Sequence, residues 1–235
     1  MDKKIVVLNH KNYLDFSSVK SYLLEINNYI RSDLDVIICP NSLYVPFFRG
    51  KYSFLLGVQD VGLGVVGEIS ASCAKSMDVK YSLVGHGERK EILSESNKII
   101  NLKIKDCIDN GIRPIVFLGE TFLEYSRKKT QDVISKQIRD YFKDVDVRED
   151  IIVCYEPIFS IGKDDCLDSS FIASIVSLIK MIFIKNFGCS IKVLYGGGVN
   201  EKNISSLTKI EELDGFVLGN VSVYPNRVLD IFNKI

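Results

Sequence analysis

The sequence predicts an α/β chain of eight parallel strands with outer helices, a (β/α)8 barrel, and three observations carry that reading. The length of 235 residues lies close to the roughly 250 of one such barrel. Short apolar, β-branched runs recur eight times, and stretches of helical periodicity separate several of them. The candidate strands are Ile5 to Leu8, Val36 to Cys39, Phe54 to Val58, Tyr81 to Val84, Pro114 to Leu118, Ile151 to Tyr155, Ile191 to Tyr195 and Phe216 to Leu218. Each is almost continuously apolar, as a strand covered on both faces must be. Helices are expected over Ser17 to Arg31, Ser94 to Asn110, Thr130 to Phe142 and Ser169 to Phe187, and Gly87-Glu88-Arg89 opens another after the fourth run. Pattern alone leaves a doubly wound open sheet as the alternative, although eight repeats fit closure better. No Ser/Gly/Pro-rich linker, low-complexity tract or charge block interrupts the chain, so one domain over residues 1–235 is expected. Gly57, Gly62, Gly64 and Gly67 mark a turn-rich loop after the third strand.

Thirty basic residues balance thirty acidic ones, so no bulk field draws the chain to nucleic acid or an anionic membrane, and any anion must be bound locally. No apolar run is expected to approach the ~20 residues of a membrane span, and the apolar start reads as a buried strand. The six cysteines (Cys39, Cys73, Cys107, Cys154, Cys166 and Cys189) show neither C-x-x-C pairs nor metal spacing. A reduced, cytoplasmic setting is expected.

A barrel of this class places its active site at the C-terminal ends of its strands, so the informative residue is a polar one just after an apolar run. Asn9 and Lys11 follow the first run, His86 the fourth and Glu156 the sixth; Gly196-Gly197-Gly198 and Gly219-Asn220 follow the last two. A cation, a hydrogen-bond donor, a carboxylate and backbone amides for a phosphate are what proton transfer beside a carbonyl of a phosphorylated substrate requires. Each has a plainer structural explanation: a solvated strand-end Glu, a satisfied core His, a surface Lys, a tight glycine loop. Two histidines, at positions 10 and 86, offer no metal cluster.

The segments NHK (9–11), LVGHGERK (83–90), CYEPIFSIGKD (154–164) and LYGGGV (194–199) resemble the signatures of the triosephosphate isomerase family, in the family's order. VQDVGLGVVGEIS (58–70) and GIRPIVFLGET (111–121) extend the resemblance over nearly the whole chain. It implies a TIM barrel that interconverts dihydroxyacetone phosphate and D-glyceraldehyde 3-phosphate through an enediolate, with no metal or organic cofactor. It also implies roles. Glu156 is the base that moves the proton between neighbouring carbons, and His86 is a neutral donor to the substrate oxygens, kept neutral by the helix start that follows it. Lys11 offsets phosphate and enediolate charge, Asn9 positions Lys11 and substrate, and Glu88 holds the lysine. Gly162, Gly198, Gly219 and Asn220 supply a mostly backbone phosphate site. His10 stands where the family usually has an aromatic residue and is expected to serve packing.

The segment Pro157 to Asp164 resembles the family's mobile lid, which excludes water. The sequence departs from the family at Gly198, usually serine; at Asn220, usually glycine; at Phe159, usually tryptophan; and at Asp164-Asp165-Cys166-Leu167 in the second hinge. The third loop, Val61 to Val66, is shorter than the one the family buries in a partner subunit; a homodimer remains the expectation. Two other functions fit parts of the pattern: a phosphate-binding barrel without isomerase activity acting as an interaction protein, and an isomerase of another phosphorylated sugar.

Overall fold

The computed structural model describes residues 3–50 and 52–235. Its strands are β1 (Lys4–Asn9), β2 (Leu34–Cys39), β3 (Leu55–Val58), β4 (Tyr81–Val84), β5 (Arg113–Leu118), β6 (Ile152–Tyr155), β7 (Lys192–Tyr195) and β8 (Gly215–Leu218). All pair in parallel in sequence order, and β8 returns to β1 with Ile5 opposite Gly215 and Leu8 opposite Leu218. The sheet is therefore a closed barrel, which removes the doubly wound alternative. The eight apolar runs and the eight strands coincide to within two residues at each end.

Alternate side chains explain why the runs are apolar throughout. Ile5, Val7, Ile37, Cys39, Leu83, Ile115, Phe117, Cys154, Leu194 and Val217 fill the barrel. Their neighbours Val6, Leu8, Val36, Ile38, Val84, Val116, Val153 and Val193 face the helices. Both sets leave water, so neither face tolerates a charge.

Outside lie α1 (Phe16–Asn27), α2 (Ala71–Ser76), α3 (Gly87–Ile92), α4 (Asn97–Asp109), α5 (Phe122–Ser126), α6 (Thr130–Tyr141), α7 (Ser169–Phe187), α8 (Ile204–Leu207) and α9 (Pro225–Phe232). Caps set their ends. Asp15 accepts from the Ser18 amide at 2.9 Å to start α1. At its other end the Asn28 and Tyr29 amides turn back to the Glu25 and Ile26 carbonyls, so α1 stops at Asn27, four residues short of the periodic stretch. The expected helix from Ser94 begins three residues late, because Ser94 is left-handed (φ 53°) and Ser96 caps the Ile99 amide.

The expectation that no apolar run approaches a membrane span fails at α7, which by length and composition alone could cross a bilayer. Here it lies along the barrel with Ile172, Ile175, Val176, Ile179 and Phe183 buried, while Met181 and Ile184 stay exposed on its outer side.

Candidate active site

Every residue singled out after a strand end arrives at the C-terminal mouth of the barrel. Asn9, Lys11, His86, Glu156, Gly162, Gly198, Gly219 and Asn220 line one cavity. Glu88 lines a second cavity beside it, together with Lys11, Gln59 and Arg89.

His86 is the N-cap of α3, and its Nδ1 accepts from the Glu88 amide at 3.2 Å. A ring nitrogen that accepts carries no proton, so the ring's hydrogen sits on Nε2. That nitrogen points at Glu156 Oε1, 3.5 Å away, and both side chains are almost fully buried. The other carboxylate oxygen, Oε2, accepts from the Gly87 amide at 3.4 Å. Burial of this strand-end glutamate, 5% exposed, excludes the reading of a solvated surface carboxylate. Its mounting is stiff: the Glu156 amide donates to Leu118 O at 2.8 Å, and Pro157 follows.

Lys11 sits in left-handed backbone (φ 48°). Asn9 Oδ1 holds its amide at 3.2 Å, and Gln59 Nε2 holds its carbonyl at 2.6 Å. Its Nζ meets Glu88 Oε1 at 2.5 Å. Lysine rarely adopts positive φ without support, and these bonds supply it, aiming the ammonium into the cavity. Asn9 is in turn fixed by Ser222, whose hydroxyl donates to the Asn9 carbonyl at 2.9 Å.

Gly162 (φ 75°) and Gly198 (φ 64°) both use the left-handed conformation that glycine adopts freely. Asn220 turns its side chain outward, accepting from the Tyr13 hydroxyl at 2.8 Å, so the larger residue leaves its own backbone uncovered on the cavity side. Asp164 and Asp165 are exposed, and Asp164 lines the cavity mouth beside Gly162 and Lys163. His10 packs as expected, its ring centroid 4.5 Å from Tyr22 and 5.7 Å from Phe48.

A family model for triosephosphate isomerase matches residues 4–235. The chain belongs to the triosephosphate isomerase family. It is 31% identical over 98% of its length to the triosephosphate isomerase of Dictyoglomus thermophilum, covering 99% of that protein. It is 32% identical to that of Mesomycoplasma hyorhinis over 95% of both chains. Over 72% of its length it is 40% identical to that of Mycoplasmopsis pulmonis, covering 67% of that protein.

Against this triosephosphate isomerase framework, the structure adds residues that the sequence reading passed over. Gln59 directly follows the third strand and braces Lys11; Glu120 lies two residues past the fifth, is fully buried, and accepts from Tyr155 and Thr130, each at 3.0 Å. Burial pushes the Glu120 carboxyl above its usual range. The rule that found His86 and Glu156, a polar residue just past an apolar run, applies equally to both. Lys90, one turn beyond His86, is driven down to about 8 by burial, against the opposing pull of Glu156 and Glu124.

Proposed function

We propose that the chain interconverts dihydroxyacetone phosphate and D-glyceraldehyde 3-phosphate, with Glu156 as the proton-transferring base, His86 as the neutral donor and Lys11 as the countercharge. One observation carries the reading: a buried carboxylate and the protonated nitrogen of a neutral imidazole, 3.5 Å apart, face one cavity with an ammonium on its wall. A substrate with its carbonyl at His86 Nε2 and its adjacent carbon at Glu156 would exchange a proton between carbons while the imidazole serves the oxygens. Lys11 would offset the enediolate charge, positioned by Asn9, with Glu88 holding its ammonium. Gly162, Gly198, Gly219 and Asn220 would surround the phosphate with backbone.

The presence of all four polar groups at one mouth disfavours a barrel that has lost its chemistry, because decay would be expected to strike at least one of them. Another phosphorylated sugar is disfavoured by the closeness of the family match around both catalytic residues. The test is a coupled assay of glyceraldehyde 3-phosphate conversion without added metal. Glu156→Gln keeps the size and removes the base; its turnover should fall roughly 10²- to 10⁴-fold. Purified, folded protein that shows no turnover above buffer would refute the isomerase reading.

We further infer one domain and a homodimer. The single domain is supported by strands drawn from both chain ends into one barrel. For the dimer, the support is apolar exposure around this mouth: Leu63, Val65 and Val66 in the third loop, and Ile92 and Leu93 at the end of α3, beside the second cavity. A cytoplasmic setting fits six cysteines that are all free.

A further inference from the structure

We propose that Asn200 is a positioning residue for this reaction, a latch that holds the lid over the site; the inference rests on the isomerase reading above. The lid, residues 157–164 with its second hinge running on to 167, is held firmly at its beginning. There the Ile158 amide donates to Glu120 O at 3.0 Å, and Phe159 packs on Phe122 and Tyr125 with centroids 5.6 and 5.0 Å away. Beyond Ile161 the lid crosses the cavity mouth through Gly162, Lys163 and Asp164, all three exposed.

Two side chains catch the far half: the Tyr195 hydroxyl accepts from the Leu167 amide in the second hinge at 3.3 Å, and Asn200 holds the lid itself. Asn200 Nδ2 donates to the Asp164 carbonyl at 2.6 Å and to Gly198 O at 3.0 Å. Its Oδ1 accepts from the amides of Lys202 at 2.9 Å and Asn203 at 3.3 Å. Both amide protons and the carbonyl oxygen are therefore used, and the residue is only 3% exposed. A side chain so fully committed has one rotamer, and its donor faces the lid in advance. The nearest other donor, Asn203 Nδ2, reaches Asp164 O only at 3.5 Å, the limit of a hydrogen bond.

Residue 198 explains why the latch is at 200. A Cβ on Gly198 would stand 2.5 Å from Asp165 O and 2.9 Å from Lys163 O. The lid backbone thus occupies the space that a side chain at 198 would need. With 198 reduced to hydrogen, the lid descends onto the loop after β7, and the bond that holds it comes from two residues further on.

The consequence for chemistry is the fate of the enediolate. Held under a closed lid, it is reprotonated. Under an open lid its electron pair can instead form a carbon–carbon double bond as the C–O bond to phosphate breaks, releasing inorganic phosphate and an enol that tautomerises to a three-carbon oxoaldehyde.

The experiment compares wild type, Asn200→Asp and Asn200→Ala in the glyceraldehyde 3-phosphate assay. It records kcat, KM, inorganic phosphate released per isomerisation, and thermal unfolding. Asn200→Asp keeps the oxygen that receives the 202 and 203 amides, so the local turn survives, but sets an oxygen against Asp164 O. Expected are a Tm near that of wild type, kcat/KM lower by about tenfold to a hundredfold, and a several-fold rise in phosphate released per turnover. Asn200→Ala should shift the same quantities in the same direction by less. Should Asn200→Asp fail to fold, Asn200→Ala decides alone. Wild-type kinetics and phosphate partition in the folded variants would overturn the latch, as would a lower Tm with the partition unmoved, which marks a merely structural asparagine. An inactive wild type would instead refute the isomerase reading itself.

Discussion

His10 shows what a single buried side chain can cost. Its two ring nitrogens have no hydrogen-bond partner, and it is 1% exposed between Tyr22 and Phe48. Burial pushes its pKa from 6.5 down to about 3, so the fold holds the neutral ring while the unfolded chain takes up a proton near 6.5. The stability tied to this residue is complete above that value and drains away as pH falls towards 3, at about 1.4 kcal/mol per pH unit. His10→Phe fills the same slot with a ring that needs no partner. It should raise stability near neutrality by about 1–3 kcal/mol and flatten the acid limb of the profile. Urea midpoints of both proteins at pH 7.5 and 5 would show this; equal losses on acidification would refute it. The identity of the residue, an imidazole in an aromatic slot, was legible in the sequence. That neither nitrogen finds a partner was not, because it depends on which side chains of α1 and of the turn at 42–48 close around it.

Between elements, a buried charge cluster does for α4 what the latch does for the lid. Lys103 of α4 is 1% exposed; its ammonium meets Asp60 at 2.6 Å and contacts Glu95 directly, while Arg89 of α3 reaches both carboxylates, at 3.0 and 3.2 Å. Removing one partner strands the others in a dry site, so Lys103→Met should cost about 3–5 kcal/mol, read as a fall in the urea midpoint. At the lid, Gly198→Ser would restore the family's usual residue, yet here it should depress activity. The new Cβ meets lid carbonyls at 2.5 and 2.9 Å in left-handed backbone, and kcat/KM should drop about tenfold or more. An unchanged kcat/KM would show that the lid yields at no cost. Element by element, the sequence was most readable where burial is two-sided: Val36–Cys39 or Ile152–Tyr155 can hardly be anything but strands. It was least readable at α5 and α8, five and four residues long, too short for a 3.6-residue period to declare itself. His86 and Glu156 could be found because strand ends converge in a barrel. Asn200 could not, since its partner Asp164 lies 36 residues away and only the lid's path brings them together.

For the whole molecule, the proposed dimer is tested at the third loop. Short as it is, it is braced from within: Glu68 Oε2 accepts from the Leu63 amide at 2.9 Å and the Val65 amide at 3.3 Å, and the Gly62 amide donates to Ile69 O at 2.8 Å. Val66, fully exposed, and Val65 project from this stiff hairpin-like turn. Chromatography with light scattering should give about twice the 26.5 kDa chain mass, and Val66→Asp should shift it towards the monomer. A monomer at micromolar wild-type concentration would rule the dimer out. Barrel closure carries a further consequence, for synthesis on the ribosome. Residues 5–8 wait for residues 215–218, so until the final strand has left the exit tunnel the nascent sheet has two raw edges, on β1 and β7. Beside the second of them hangs the greasy outer stripe of α7. A chain cut short before Gly215 should therefore appear in the insoluble fraction.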